Sequence, residues 1–209
     1  MMKHIILLVL SLAYVTLADY HGWINEIHYR FREENKDGDF FVEVVGPAGE
    51  EAWKYLLVFY QGRNGTQFKE GRSLSGYSFS SGIVGDFGFV TYDLGGKGAI
   101  RKGKMGADGI ALVYEGECVQ FLCYSDDDDA IFTAWTGPCA GKSCENIGVH
   151  ETREDTPGTS IQMIGSGRYM ENFTWNDEVE VMTPGESNHG QSLLTPQQYF
   201  LANSRKLKG

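Results

Sequence analysis

Two strand-like runs lie close together near the start of this chain and constrain its fold more than any other stretch. The first is Trp23-Ile24-Asn25-Glu26-Ile27-His28-Tyr29 and the second is Asp39-Phe40-Phe41-Val42-Glu43-Val44-Val45. Successive side chains of a strand face opposite ways, so Phe40, Val42 and Val44 form one apolar face and Phe41, Glu43 and Val45 share the other. By the same alternation Glu26 lies on one face with Ile24 and His28, and Asn25 and Ile27 lie on the reverse. A carboxylate set among apolar groups sits at a solvated edge or is held by hydrogen-bond donors, because an unpaired buried charge is too costly. Asn25, Glu26 and Glu43 are therefore candidates for a polar core or a site.

Short strands separated by glycine-rich turns continue along the chain, which has 27 Gly against 5 Pro. The pattern predicts strands near residues 23–29, 40–45, 55–60, 87–92, 109–114, 117–124, 159–164 and 172–175. Glu115-Gly116 reads as the turn of a hairpin joining two of them. With no amphipathic helix long enough to cover a sheet and no repeat of solenoid or propeller period, the class is all-β. Thr195-Pro196-Gln197-Gln198 has a capping Thr, Pro at the first helical position and Gln three after the cap, which predicts a short helix to about Arg205.

The segments Asn25-Glu26-Ile27-His28-Tyr29, Asp39-Phe40-Phe41-Val42-Glu43-Val44 and Gly46-Pro47-Ala48-Gly49 resemble the opening of a lamin-tail-type domain. The version they resemble is the secreted one found beside extracellular nucleases. The similarity continues through Leu57-Val58-Phe59-Tyr60, Asp108-Gly109-Ile110-Ala111-Leu112-Val113, Val119-Gln120-Phe121-Leu122, Phe132-Thr133-Ala134 and Gly137-Pro138. It ends with Ile147-Gly148-Val149, Phe173-Thr174-Trp175, Thr183-Pro184-Gly185 and Gly190-Gln191. The resemblance implies an immunoglobulin-like β-sandwich used for binding or assembly, and it brings no catalytic residues. Tyr55 departs from it, where the family often has Trp.

Lys3 and His4 precede an apolar run from Ile5 to Leu17 that ends in small residues before Asp19. This order describes a secretory signal peptide, residues 1–18, cleaved after Ala18; a retained anchor is the competing reading. Residues 19–194 then form one β-sandwich domain and 195–209 a short helix or tail. At 42% hydrophobic and 13% aromatic the chain is globular, and its length suffices for one substantial core. The formal charge of −10 becomes −11 without the leader, a balance that repels phosphate backbones and disfavours nucleic acid. Lys97, Arg101, Lys102 and Lys104, with the tail residues Arg205, Lys206 and Lys208, read as solvated loop and terminus.

Four cysteines in an exported chain are expected to be oxidised. Cys139 and Cys144 bracket the flexible Ala140-Gly141-Lys142-Ser143, so their pairing is the first expectation. Cys118 and Cys123 end the run Val119-Gln120-Phe121-Leu122. As a regular strand that run places them roughly 16 Å apart on opposite faces, unable to bridge each other. In the alternative Cys123 reaches the 139–144 loop and Cys118 finds another partner. Zinc is disfavoured because no C-x2-C knuckle occurs.

Among oxygen-rich stretches, Asp126-Asp127-Asp128-Asp129 is a weak calcium candidate, since consecutive acids cannot all face one ion and EF-hand spacing is absent. Asn35-Lys36-Asp37-Gly38-Asp39 is explained by turn formation. No G-x-S-x-G elbow occurs, and His21, His28, His150 and His189 form no H-x-x-x-H or H-x-H pair. Glu26 and Glu43 could serve as paired carboxylates if their strands are neighbours, but the register is not legible.

Two sequons, Asn64-Gly65-Thr66 and Asn172-Phe173-Thr174, are N-glycosylation candidates at Asn64 and Asn172. Aromatics in or beside the loops at 61–86, 93–107 and 125–146, notably Tyr77, Phe79 and Trp135, are candidate contacts for an extracellular protein or glycan. The reading that follows is a secreted, non-catalytic binding or assembly module with no cofactor, calcium excepted. The alternative is a metal-dependent extracellular hydrolase of the nuclease or phosphodiesterase kind, or an accessory to one.

Overall fold

The computed structural model describes residues 21–29, 40–68, 70–81, 84–95, 108–124, 131–152 and 154–206. The leader, the Asn35–Asp39 turn, the Lys97–Lys104 cluster, the Asp126–Asp129 run and Lys208 lie outside the described residues.

Two β-sheets pack face to face. The first contains β1 (Trp23–His28), β2 (Phe41–Pro47), β6 (Phe87–Asp93), β10 (Thr159–Gly167) and β11 (Phe173–Trp175) in the order β11-β10-β1-β2-β6. Two short strands, β12 (Glu180–Val181) and β13 (Gln191–Leu193), also pair with β10. The second sheet runs β4-β3-β7-β8-β9, from β4 (Thr66–Gln67), β3 (Tyr55–Gln61), β7 (Asp108–Tyr114), β8 (Glu117–Tyr124) and β9 (Glu145–Asn146), with β5 (Arg72–Ser73) added to β3. All the longer strands fall where the alternating pattern predicts them, and the all-β expectation holds. Helix α1 spans Pro196–Lys206, and Thr195 caps it as anticipated: Gln198 N donates to Thr195 Oγ1, and Thr195 N donates to Gln198 Oε1. The Glu115-Gly116 turn has positive φ at both residues, 48° and 90°, the twist that a tight hairpin between right-handed strands demands.

The main core lies between the sheets and contains Ile24, Ile27, Val42, Val44, Leu57, Phe59, Ile110, Leu112, Leu122 and Ile161. Phe79 belongs to it. Its ring lies over Gly46, where any Cβ would come within 2.5 Å of the ring, and it meets Tyr55 edge-on. Phe79 is 2% exposed, so its expected role as a contact residue is corrected to a core one.

Both outer faces are covered as well. On the second sheet, Val58, Tyr60, Ala111, Val113 and Phe121 pack under the 131–144 loop. Two disulfides hold that loop down, Cys118–Cys139 and Cys123–Cys144. The expected Cys139–Cys144 bridge is therefore wrong, and so is the placing of Cys118 and Cys123 on opposite faces. The reason is a β-bulge. Leu112 faces Gln120 while the next residue, Val113, faces Cys118, so Val119 is left without a partner across the ladder. The extra residue shifts the alternation by one, and Cys118 joins Phe121 and Cys123 on the outer side. Each cysteine of β8 then takes one from the loop. The alternative partner for Cys123, in the 139–144 loop, is the one found.

Each bridge closes a separation of 21 residues, for which chain entropy gives about 3 kcal/mol. Peptide mapping without reduction is expected to recover 118–139 and 123–144 linked fragments. Replacing Cys118 and Cys139 together by Ala should lower unfolding free energy in urea by roughly 3 kcal/mol. Recovery of a 139–144 fragment would refute the bulge argument.

Candidate functional site

The outer face of the first sheet is divided. One part is apolar, built from Trp23, Val45, Phe87, Phe89, Met163, Phe173 and Leu193. The other gathers the polar side chains of Asn25, Glu26, Glu43, Ser160 and Gln162, all fully buried. Strand register brings them together. Glu26 sits directly opposite Glu43 on the neighbouring strand and opposite Gln162 on the other side, while Glu43 faces Thr91 of β6.

A second bulge makes this possible. The β1–β2 register shifts between Ile24 and Glu26, leaving Asn25 as the extra residue. Ile24 and Ile27 can then both enter the core, opposite Val44 and Val42, while Glu26 emerges on the outer face beside Glu43. Strict alternation had placed Ile24 with Glu26 and set Ile27 apart; the bulge overturns that assignment. Ile24 N, at the disturbed position, donates across the sandwich to Oε1 of Gln120, itself beside the bulge of β8, at 2.7 Å.

The cover over the carboxylates is the return segment between β11 and β13. Glu26 Oε1 accepts from Ser160 Oγ, from Gln162 Nε2 at 3.2 Å and from the backbone N of Thr183 at 3.0 Å. Glu43 accepts from Asn25 Nδ2 at 3.2 Å, Thr91 Oγ1 at 3.0 Å and Gly185 N at 2.6 Å. Gly185 has φ 85°, a conformation that glycine adopts without a Cβ penalty, which aims its N–H inward. Asn188 is the peg of the segment. Its Nδ2 donates to the backbone carbonyls of Asn25 and Met163, both at 2.9 Å, just beyond the Glu26–Gln162 pair of the β1–β10 ladder. Gln191 Nε2 donates to Asn25 Oδ1 at 2.7 Å.

Burial pushes the Glu26 carboxyl above its ordinary range despite these donors. Burial pushes Glu43 further, to about 8, with the nearby Glu26 charge adding to the effect. Near neutrality the pair therefore retains a proton on Glu43, which avoids two adjacent buried negative charges. The hydroxyl of Thr183 lies 3.1 Å from both Glu26 Oε2 and Asn188 Oδ1, and its single proton can serve only one of them at a time.

Chemically, the arrangement has the ingredients of a carboxylate pair but not the access. Both residues are 0% exposed, and the donors around them belong to the fold itself. Among the described residues no group of three or more His, Cys, Asp or Glu could hold a metal ion. A third buried acid, Glu151, ties the 147–152 segment to the end of β1: Oε1 lies 2.7 Å from His28 Nδ1 and Oε2 accepts from Tyr29 N at 2.8 Å.

Of the residues singled out from sequence, Asn25, Glu26 and Glu43 converge as described. Tyr77 is 38% exposed and Trp135 is 78% exposed, on different loops, and neither joins the polar cluster. Asn64 is exposed on the turn after β3, whereas Asn172 is half-buried at a 3-10 turn, where its Oδ1 accepts from the backbone N of Arg168 and Tyr169. Sequence reading missed Thr183, Asn188, Gln191, Ser160 and Glu151. The one available signal was the run Thr183-Pro184-Gly185-Glu186-Ser187-Asn188-His189-Gly190-Gln191, rich in short polar side chains between two strands. Among the described residues no helix is long and apolar enough to cross a membrane. No family model, curated protein or solved structure matches this chain.

The proton on Glu43 sets the sign of a pH dependence. The unfolded chain releases it near 4.5 and the folded one near 8, so the folded state binds more protons between those values and loses stability as pH rises. The contribution of this group should fall by up to about 5 kcal/mol across that window. Urea titrations from pH 5 to 8.5 are expected to show midpoints declining with pH, and Glu43→Gln should flatten the decline. An unchanged slope in that variant would remove Glu43 from the account.

Proposed function

We propose that the chain is an exported, non-catalytic β-sandwich that binds or assembles with an extracellular protein or glycan. The observation that carries this reading is the consumption of the Glu26–Glu43 pair by the fold. Ser160, Thr183 and Gly185 donate to the two carboxyl groups, which are fully buried beneath the 176–190 segment, so a substrate would have to displace that segment to reach them. Two disulfides support export, because such bridges persist in an oxidising compartment. Assignment to the lamin-tail type, with immunoglobulin-like topology, belongs to the same proposal. Its support is that the resembling segments coincide with β1, β2, β3, β7, β8 and β11, and that Thr183-Pro184-Gly185 is the stretch that closes the polar cluster.

The recognition surface that fits this reading lies where a 3-10 turn, Ala52–Lys54, meets the 77–79 segment. Ala52 N donates to the Tyr77 carbonyl, which sets Trp53, 58% exposed, close to Tyr77. Lys54 Nζ lies over the rings of Trp53 and Tyr114 and pairs with Glu115 at 2.7 Å. Exposed rings on a rigid frame, with one cation among them, provide contact area at little entropic cost.

Screening the mature chain against extracellular glycans and proteins by biolayer interferometry is expected to yield a ligand. Its affinity should fall at least about tenfold in Trp53→Ala or Tyr77→Ala while the melting temperature stays put. Incubation with DNA, RNA or a phosphodiester plus Mg²⁺, Mn²⁺ or Ca²⁺ should give no turnover. Turnover that is lost in a folded Glu43→Gln variant would overturn the proposal in favour of a metal-dependent hydrolase.

A further inference from the structure

We propose that Asn64 carries an N-linked glycan whose innermost sugars rest on the indole of Trp135. The inference builds on the exported reading and concerns a surface away from the Trp53–Tyr77 one. Asn64 is exposed in the turn that joins β3 to β4, and its Oδ1 accepts from Thr66 N at 3.1 Å and Thr66 Oγ1 at 2.7 Å. No other described hydrogen bond uses its side chain, which leaves Nδ2 available to a substituent. The 131–144 loop brings Trp135 to the same turn. Trp135 N donates to the Gly65 carbonyl at 2.6 Å, and a Cβ built on Gly65 would meet the Thr133 carbonyl at 2.2 Å and Trp135 Cδ1 at 3.0 Å. Glycine, with φ 64°, is what lets the loop and the sequon lie this close.

The indole itself is the second half of the argument. Trp135 is 78% exposed, the most exposed large apolar side chain among the described residues, although its backbone is fixed by the turn on one side and by the Cys139 and Cys144 bridges on the other. An open aromatic face whose backbone is hydrogen-bonded to Gly65, the residue after the acceptor asparagine, matches the C–H face of a pyranose attached there. The group transfer forms a bond from Asn64 Nδ2 to the anomeric carbon of an N-acetylhexosamine. It breaks the bond from that carbon to a lipid-diphosphate oligosaccharide donor; the amide loses one proton and the lipid diphosphate leaves. The other sequon is used differently. Asn172 Oδ1 caps two backbone N–H groups, and a Cβ on Gly167 would meet the Asn172 side chain at 2.2 Å, so that carboxamide is packed into the fold.

The test uses the wild-type chain and Trp135→Ala, each made with a host leader in a glycosylating secretory host and in a bacterial periplasm that adds no such sugar. Peptide mass mapping in the first host is expected to show a hexosamine-rich adduct on the fragment containing Asn64. The adduct should raise the wild-type melting temperature by about 2–4 °C over the periplasmic protein and leave that of Trp135→Ala unchanged. Trp135→Phe should retain part of the gain. A secreted, disulfide-bonded protein with a bare Asn64 overturns the inference, and so does an equal gain in wild type and Trp135→Ala. Residues 1–18 are tried in parallel in place of the host leader. If they fail to direct secretion while the host-led protein shows the coupled adduct, the export reading falls and the sugar–indole contact stands.

Discussion

The structure depends on burying two carboxyl groups side by side without leaving either one unanswered. An isolated buried carboxylate costs several kcal/mol, and a second beside it costs more. Relief comes from both sources that physical chemistry offers. Donors converge on the pair from β1, β6, β10 and the 183–185 backbone, and a proton is retained on Glu43. Because several of those donors lie on the return segment, the pair acts as an anchor. The segment docks in one register, since a shift of one residue would withdraw the N–H groups of Thr183 and Gly185 from the oxygens they serve. A hydrophobic cover would bind with less positional demand, and the apolar part of the same face, around Trp23 and Phe173, shows that alternative in use.

The two bulges explain which parts of this arrangement the sequence disclosed. Alternation predicted the long strands because β2, β3, β6 and β7 obey it, with apolar side chains in and a second set out. In β1 and β8 one inserted residue, Asn25 or Val119, reverses the face of everything on one side of it. From sequence, Ile24 and Glu26 share a face, as do Cys118 and Gln120; in the structure neither pair does. The placing of Cys118 and Cys123 on opposite faces failed for that reason, whereas the expected 139–144 pairing had rested on the short flexible loop between them. The spacing Ile24…Ile27, three residues apart between core positions, is the trace a bulge leaves in sequence, and it is indistinguishable there from a change of strand boundary.

Asn25, Glu26 and Glu43 were legible as unusual because each interrupts an apolar run. Their partners were not. Thr183, Asn188 and Gln191 lie more than a hundred residues away in a stretch whose composition reads as an ordinary loop, and their roles arise from where that loop returns. Asn188 shows the difficulty most plainly: its amide joins the carbonyls of Asn25 and Met163, two residues that come together only once β1 lies beside β10. Phe79 failed in the other direction. It looked like a loop aromatic but fills space left by Gly46, a contact between segments whose pairing no local pattern records.

The two sheets cover their outer faces by different chemistry, and that difference bears on where recognition can occur. The second sheet is capped by a loop held covalently at Cys139 and Cys144, with Phe132 and Ala134 packed beneath it. With those side chains and the two bridges holding the loop, Trp135 can stand largely in solvent. The first sheet is capped by hydrogen bonds to buried acids, so its cover tolerates little change at 183–191 and has few side chains to spare for contacts. The exposed aromatics sit accordingly, Trp135 on the covalently held side and Trp53 on a short turn. It follows that substitution should cost little at exposed positions such as Trp135 and Trp53 and most within the polar cluster.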